Sequence, residues 1–129
     1  MLFLCIGNIC RSPMAEALTR KYGSDVIEAA SAGLSPALNT ASLTRAVLLE
    51  KNVDLGDHLP RRLRDVDLSK YDLLVNLSGE KLPAKMGVAV EDWPVKDPFG
   101  GTDEEYRRAR DEIEMLVMRL ILRARAGKI

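Results

Sequence analysis

Near its start the chain reads Cys5-Ile6-Gly7-Asn8-Ile9-Cys10-Arg11-Ser12, a cysteine and an arginine separated by five residues and followed by a serine. A loop of this length can curl around one tetrahedral anion. Its backbone N–H groups then point inward as a nest, and a helix starting behind it adds the positive end of its dipole. Gly7 and Asn8 suit the unusual backbone angles such a loop needs. Arg11 can hold two anion oxygens with its planar fork. The same positive field is expected to hold Cys5 as a thiolate, to which Ser12 can donate a hydrogen bond. A thiolate beneath a bound phosphate is placed for in-line attack and a thiophosphate intermediate. The competing reading makes Cys5 an inert buried thiol and Arg11 a surface charge. The flanking strand, the Gly-Asn loop, the Ser-Pro helix start and the spacing together favour chemistry. Cys10 lies in the same loop. It is either small packing under the loop or a redox partner able to trap an oxidised Cys5 as a disulfide.

The elements that must position this loop are legible in the apolar pattern. Short β-type runs occur at Met1–Cys5, Val26–Ser31, Leu73–Leu77 and, more weakly, Val88–Val90. Met14, Ala17, Leu18 and Tyr22 recur at helical spacing, with Ser12 as a possible cap, Pro13 at the first position and Gly23 at the end. A second helix fits Thr40–Lys51, with Leu43, Val47 and Leu48 inward. The last opens on the capping box Thr102-Asp103-Glu104-Glu105 and buries Ile113, Leu116, Val117, Leu120 and Ile121. Alternating strands and helices imply an α/β fold: a three-layer domain spanning residues 1–129, with a parallel sheet and helices on both faces. Ligands in such folds sit beyond the carboxyl ends of the strands, which is where Cys5–Ser12 falls after strand 1.

Composition narrows the field. The chain has 129 residues, enough for one compact core. Its 19 basic residues balance 19 acidic ones, so bulk charge gives no reason to expect nucleic acid or an anionic membrane as partner. No apolar run approaches a membrane span, and Met1-Leu2-Phe3-Leu4 lacks the basic region of a signal peptide. The cytoplasm is the expected compartment, where two cysteines are more plausibly chemical than structural. Two cysteines and one histidine do not make the usual four-ligand zinc site, and neither a metal nor a cofactor is expected.

Asp97-Pro98 lies in a loop between Trp93-Pro94 and Gly100-Gly101. Read from the residues alone, Asp97 fits either an Asx turn or a general acid for a leaving alkoxide. The lone His58 reads as structural support, the run Arg61, Arg62 and Arg64 as a solvated face, and Trp93 as core.

The segment from Cys5 to Glu16 resembles the signature of low-molecular-weight protein tyrosine phosphatases. Ser31-Ala32-Gly33 resembles the family's second motif and Asp97-Pro98 its third. The resemblance spans nearly the whole chain. It implies a four-stranded parallel sheet, Cys5 as nucleophile, Arg11 as phosphate clamp and Asp97 as general acid. It also implies loop support from Asn8, Ser12, Ser31 and, on a looser match, His58. The implied activity is phosphate-monoester hydrolysis of the protein tyrosine phosphatase type. A phosphorylated protein or small aryl phosphate is the implied substrate, with phosphate or arsenate as inhibitor.

Two stretches depart from that pattern. After Ser-Ala-Gly the family usually has an aromatic, whereas Leu34-Ser35-Pro36-Ala37 has none. After Asp-Pro it tends to have two tyrosines, whereas Phe99-Gly100 follows here. The thioredoxin-coupled arsenate reductases share the fold and the loop. Val75–Glu80 resembles the segment where they carry a redox cysteine, but Ser78 stands there; Gly101–Ile113 also resembles them. An arsenate reductase using an external thiol is therefore the alternative enzyme. A phosphate-binding module would need neither nucleophile nor acid.

Overall fold

The computed structural model describes residues 1–129. Four strands, β1 (Leu2–Cys5), β2 (Ala30–Gly33), β3 (Leu73–Asn76) and β4 (Ala89–Asp92), form one sheet in the order β2-β1-β3-β4. All pairings are parallel, and the register sets Cys5 opposite Gly33 and Leu4 opposite Asn76. The three α-helices are α1 (Arg11–Gly23), α2 (Ser42–Leu49) and α3 (Asp103–Arg125). β1 is central and buried along its whole length, which is why it reads as an unbroken apolar run.

Alternate residues of β1 serve two cores. Phe3 and Cys5 face the larger one, with Met14 and Leu18 of α1, Val47 and Leu48 of α2, and Ile113, Val117, Leu120 and Ile121 of α3. Leu2 and Leu4 join Ala32 and Leu74 on the other face. The α/β layering expected from the sequence is present, but unequal. All three α-helices lie on the first face. The second is covered by two 3-10 turns (Leu63–Asp65, Leu68–Lys70) and by Leu82, Met86 and Val88. Residues 60–88 contain Pro60 and Pro83, and Gly79 and Gly87 take positive φ, which keeps the helical pieces short.

β2 begins later than the Val26–Ser31 run predicts. The amides of Val26 and Ile27 both donate to the Gly23 carbonyl at 3.0 and 2.9 Å, so the chain is still leaving α1 there. Val26 is consequently exposed. Gly23 does more than end a helix: a Cβ there would come within 2.6 Å of Ile121, so the glycine lets α1 approach α3. The predicted capping box of α3 is formed, with the Thr102 hydroxyl accepting from the Glu105 amide.

Candidate active site

The loop between β1 and α1 is turned inside out by its neighbours. Every carbonyl from Cys5 to Cys10 accepts a hydrogen bond. The donors are the amides of Leu34, Ser35 and Ala37 (to Cys5, Ile6 and Gly7), His58 Nε2 (Asn8), Thr44 Oγ1 (Ile9) and the Met14 amide (Cys10). The bonds run from 2.7 to 3.1 Å. The amides of residues 6–10 donate to no protein acceptor. Carbonyl and N–H of one peptide unit point in opposite directions, so fixing one group outward presents the other as an anion donor.

Asn8 is the hub of this scaffold. It takes the left-handed conformation at φ 54°, whereas Gly7 does not, so the unusual angle predicted for the Gly-Asn pair belongs to Asn8. Its buried Nδ2 donates to Ser12 Oγ at 2.8 Å and to Ser31 Oγ at 2.9 Å. Its Oδ1 accepts from the Arg61 amide at 3.0 Å, which also fixes the orientation of the side-chain amide. The Arg61 guanidinium reaches the Ser31 carbonyl at 2.9 Å. The basic run is therefore not merely a solvated face: its first member braces the loop. Gly33 closes the arrangement, because a Cβ there would lie 2.7 Å from the Ile6 carbonyl and 2.9 Å from the Asn8 nitrogen.

Ser12 does not cap α1. The helix begins at Arg11, and Cys10 at the N-cap position makes no side-chain cap bond. The Ser12 hydroxyl instead lies 2.9 Å from the Cys5 sulfur. It accepts from Asn8, and its one proton has two acceptors in reach, the Cys5 sulfur and the Ala32 carbonyl at 3.4 Å.

Arg11 is buried. It donates to the Val95 carbonyl at 3.0 Å and lies 3.4 Å from Asp97 Oδ2, while its Nε has no protein acceptor. A buried guanidinium needs a counter-ion, and Asp97 is the carboxylate beside it. Asp97 Oδ1 also accepts from the Phe99 amide at 3.1 Å, so the Asx turn and the site position coexist in one side chain. Cys5 and Asp97 line one cleft of about 220 Å³, whose walls include Ile6, Ile9, Ala37 and Phe99. A larger groove of about 660 Å³, around Met1, Arg20 and Asp72 at the opposite ends of the strands, contains no cysteine. Trp93 is buried against Phe3, with ring centroids 5.8 Å apart, and belongs to the core as predicted.

Both cysteines are free thiols. Cys10 is buried with its sulfur 3.6 Å from the Tyr106 hydroxyl. Burial pushes its thiol above the ordinary value, against weaker opposing contacts from Tyr106 and Thr44. Tyr106 and Thr44 carry no motif; the loop reaches them only through the fold, 96 and 35 residues away.

Fold and site together define a parallel α/β protein with a cysteine–arginine anion loop at the carboxyl end of its first strand. The profile of the low molecular weight phosphotyrosine protein phosphatase family matches residues 1–128, and the chain belongs to that family. It is 34% identical to a protein-arginine-phosphatase of Geobacillus stearothermophilus, over 93% of this chain and 92% of that one. It is 31% identical to a probable low molecular weight protein-tyrosine-phosphatase of Ralstonia nicotianae, over 98% and 96%. Among solved structures, an arsenate reductase in the phosphate binding state superposes with a TM-score of 0.88 at 26% identity, covering 95% of this chain and 96% of that one.

Proposed function

We propose that this chain hydrolyses phosphate monoesters through a cysteinyl-phosphate intermediate. The amides of residues 6–10 and the fork of Arg11 hold the phosphoryl oxygens. The Cys5 sulfur attacks phosphorus as the ester oxygen departs, and Asp97 in its acid form gives that oxygen a proton. Asp97 then takes a proton from water as the water attacks the phosphocysteine. Phosphate and the Cys5 thiolate are released, the latter supported by the Ser12 hydroxyl. The observation that carries this reading is Asp97, set 3.4 Å from Arg11 in the same cleft as Cys5. Attack on arsenate also expels an oxygen that takes a proton, but a thiol relay then needs further thiols, and Cys10 is the only cysteine beyond Cys5.

The substrate reading is an aryl phosphate, free or as phosphotyrosine in a protein. Ile6, Ile9, Ala37 and Phe99 give the cleft an apolar wall suited to a ring. Asp97 is the one carboxylate among the cleft residues, and its role as acid leaves no second carboxylate to pair a phosphoguanidine. Phosphate, as product, and arsenate, as its isostere, are expected to compete for the loop. No helix is long and apolar enough to cross a membrane, and the balanced charge fits a cytoplasmic enzyme without nucleic-acid or membrane partners. The test is parallel turnover of an aryl phosphate, a phosphotyrosine peptide and a phosphoarginine peptide. The first two should be hydrolysed faster; preferred release from phosphoarginine would reassign the substrate class.

A further inference from the structure

Of the basic run that follows His58, only Arg61 is committed to the anion loop, through its bonds to Asn8 and Ser31. Arg62 and Arg64 are exposed, and neither has a carboxylate within ion-pair distance. Arg20, Arg107, Arg110, Arg123 and Arg125, by contrast, each pair with one.

The sheet fixes where Arg62 stands. The Gly33 amide donates to the Arg61 carbonyl at 2.8 Å, and Arg62 forms a parallel bridge with Gly33. Gly33 is in turn the register partner of Cys5. Cys5, Gly33 and Arg62 therefore form one row across the carboxyl end of the sheet. Neighbouring strands lie ~4.8 Å apart, which puts the Arg62 Cα roughly 10 Å from that of Cys5. Arg62 is extended, at φ −89° and ψ 137°, and successive residues of an extended chain face opposite sides. Leu63 packs on the second core, away from the helices. The Arg62 side chain accordingly leaves on the other face, which is that of Cys5. Ser35 and Ala37, which follow Gly33, line the cleft, and residues 34–41 carry no charge. Asp65, in the 3-10 turn that also holds Arg64, is the one acidic residue among positions 61–65 and leaves them net positive.

We infer that Arg62, with Arg64 two residues on, is a docking surface for a phosphorylated protein and takes an acidic side chain one or two residues from the phosphotyrosine. The inference rests on the reading of a phosphoprotein as substrate. An extended chain advances ~3.5 Å per residue, so such a side chain can bridge the distance from the cleft to the arginine. The guanidinium fork accepts a carboxylate through two parallel bonds and repels a lysine in the same place. A pair so exposed is screened by salt and acts on affinity, leaving the chemical step alone.

The experiment measures kcat and KM of the full chain, wild type and Arg62→Glu, at low and high salt. The substrates are a small aryl phosphate and three phosphotyrosine peptides carrying Asp, Ala or Lys at the two positions on either side. Wild type at low salt should turn over the Asp peptide with kcat/KM about fivefold above the Lys peptide, chiefly through KM, and the gap should close at high salt. Arg62→Glu should reverse the order of the peptides and leave the aryl phosphate unchanged. Equal rates on the three peptides in wild type, a preference that Arg62→Glu does not alter, or a matching loss on the aryl phosphate overturns the inference. If wild type hydrolyses the aryl phosphate and none of the peptides, the phosphoprotein reading falls and the inference with it. If it hydrolyses none of the four, the hydrolase reading itself falls.

Discussion

His58 Nε2 lies 2.9 Å from the carbonyl oxygen of Asn8, and since a carbonyl only accepts, the imidazole carries its proton on Nε2 and donates it. The bond joins the segment after α2 to the one residue of the anion loop held at positive φ. It gives a lone histidine a way to shape the anion loop without entering it. His58→Ala removes one of the outward pins while leaving Cys5 and Arg11 in place. A partly buried hydrogen bond of this kind contributes ~1 kcal/mol, so inhibition by inorganic phosphate should weaken about fivefold. His58→Gln, which keeps a donor, should recover part of it. Unchanged phosphate affinity in His58→Ala would show that the other pins suffice.

Gly33 is under a tighter constraint. The Cβ of Gly33→Ala would fall 2.7 Å from the Ile6 carbonyl, a backbone atom in a loop whose carbonyls are all bonded. The variant should lose roughly 1–3 kcal/mol of stability as the loop shifts. Phosphate affinity should fall with it, which thermal unfolding with and without phosphate would reveal. A variant as stable and as tightly binding as wild type would mean that β2 and the loop can separate freely.

The same contact shows why parts of the fold were legible and others were not. β1, the loop and α1 are local: apolar run, spacing and helix start lie within 23 residues of one another. The apolar pattern places β2 too early because Ala30-Ser31-Ala32-Gly33 is small to fit beside the loop and weak in β-propensity, whereas the more strand-like Val26-Ile27 belongs to a turn. Arg61 looked like surface because a charge run says nothing of a backbone amide aimed at Asn8. Ser12 looked like a cap because the Ser-Pro pattern is a helix start, and only the structure shows its hydroxyl turned to Cys5. Tyr106 had no signature at all.

Cys5→Ser should abolish turnover while retaining phosphate binding, because the amides of residues 6–10, their outward-held carbonyls and Arg11 are untouched. Arg11→Lys should be impaired in both respects, since an ammonium reproduces neither the fork nor the bond to Val95. Calorimetric titration with inorganic phosphate beside aryl-phosphate turnover separates the two effects. More than a trace of wild-type rate in Cys5→Ser would remove the covalent step.

Peroxide should oxidise Cys5 to a sulfenic acid, the sulfur taking one oxygen as water is released. Attack by the Cys10 sulfur would then form a disulfide and expel water. The attacking species is the thiolate, and burial holds the Cys10 thiol above its ordinary value. Trapping should therefore quicken as pH rises from neutral to mildly alkaline, and the share of activity recovered by dithiothreitol should rise with it. In Cys10→Ser excess peroxide should carry the untrapped sulfenic acid on to the sulfinic acid, which dithiothreitol does not reduce, so little activity should return at either pH. Equal recovery in both proteins would leave Cys10 as packing against Tyr106.

Arsenate and phosphate share charge and shape, so the anion loop should bind both, and the Cys5 sulfur can attack either. The next step divides the two enzymes. A thioredoxin-coupled reductase needs a second thiol to attack the Cys5 adduct and a third to present a disulfide outward. Cys10 can serve once. At the remaining place stands Ser78, buried, with its hydroxyl 2.6 Å from Asn76 Oδ1 and accepting from the Glu80 amide at 3.1 Å. That serine is locked into the end of β3, and a hydroxyl does not replace a thiolate in disulfide exchange. In the proposed mechanism Asp97 supplies the proton traffic that hydrolysis requires. Arsenate should therefore act as a competitive inhibitor of aryl-phosphate hydrolysis, with negligible reduction in the presence of thioredoxin. Replacing Ser78 by cysteine should not by itself create a reductase, because the network around Asn76 holds that position in place. Efficient arsenate reduction by wild type with thioredoxin or glutathione, together with negligible phosphate release, would overturn the hydrolase assignment and establish the reductase.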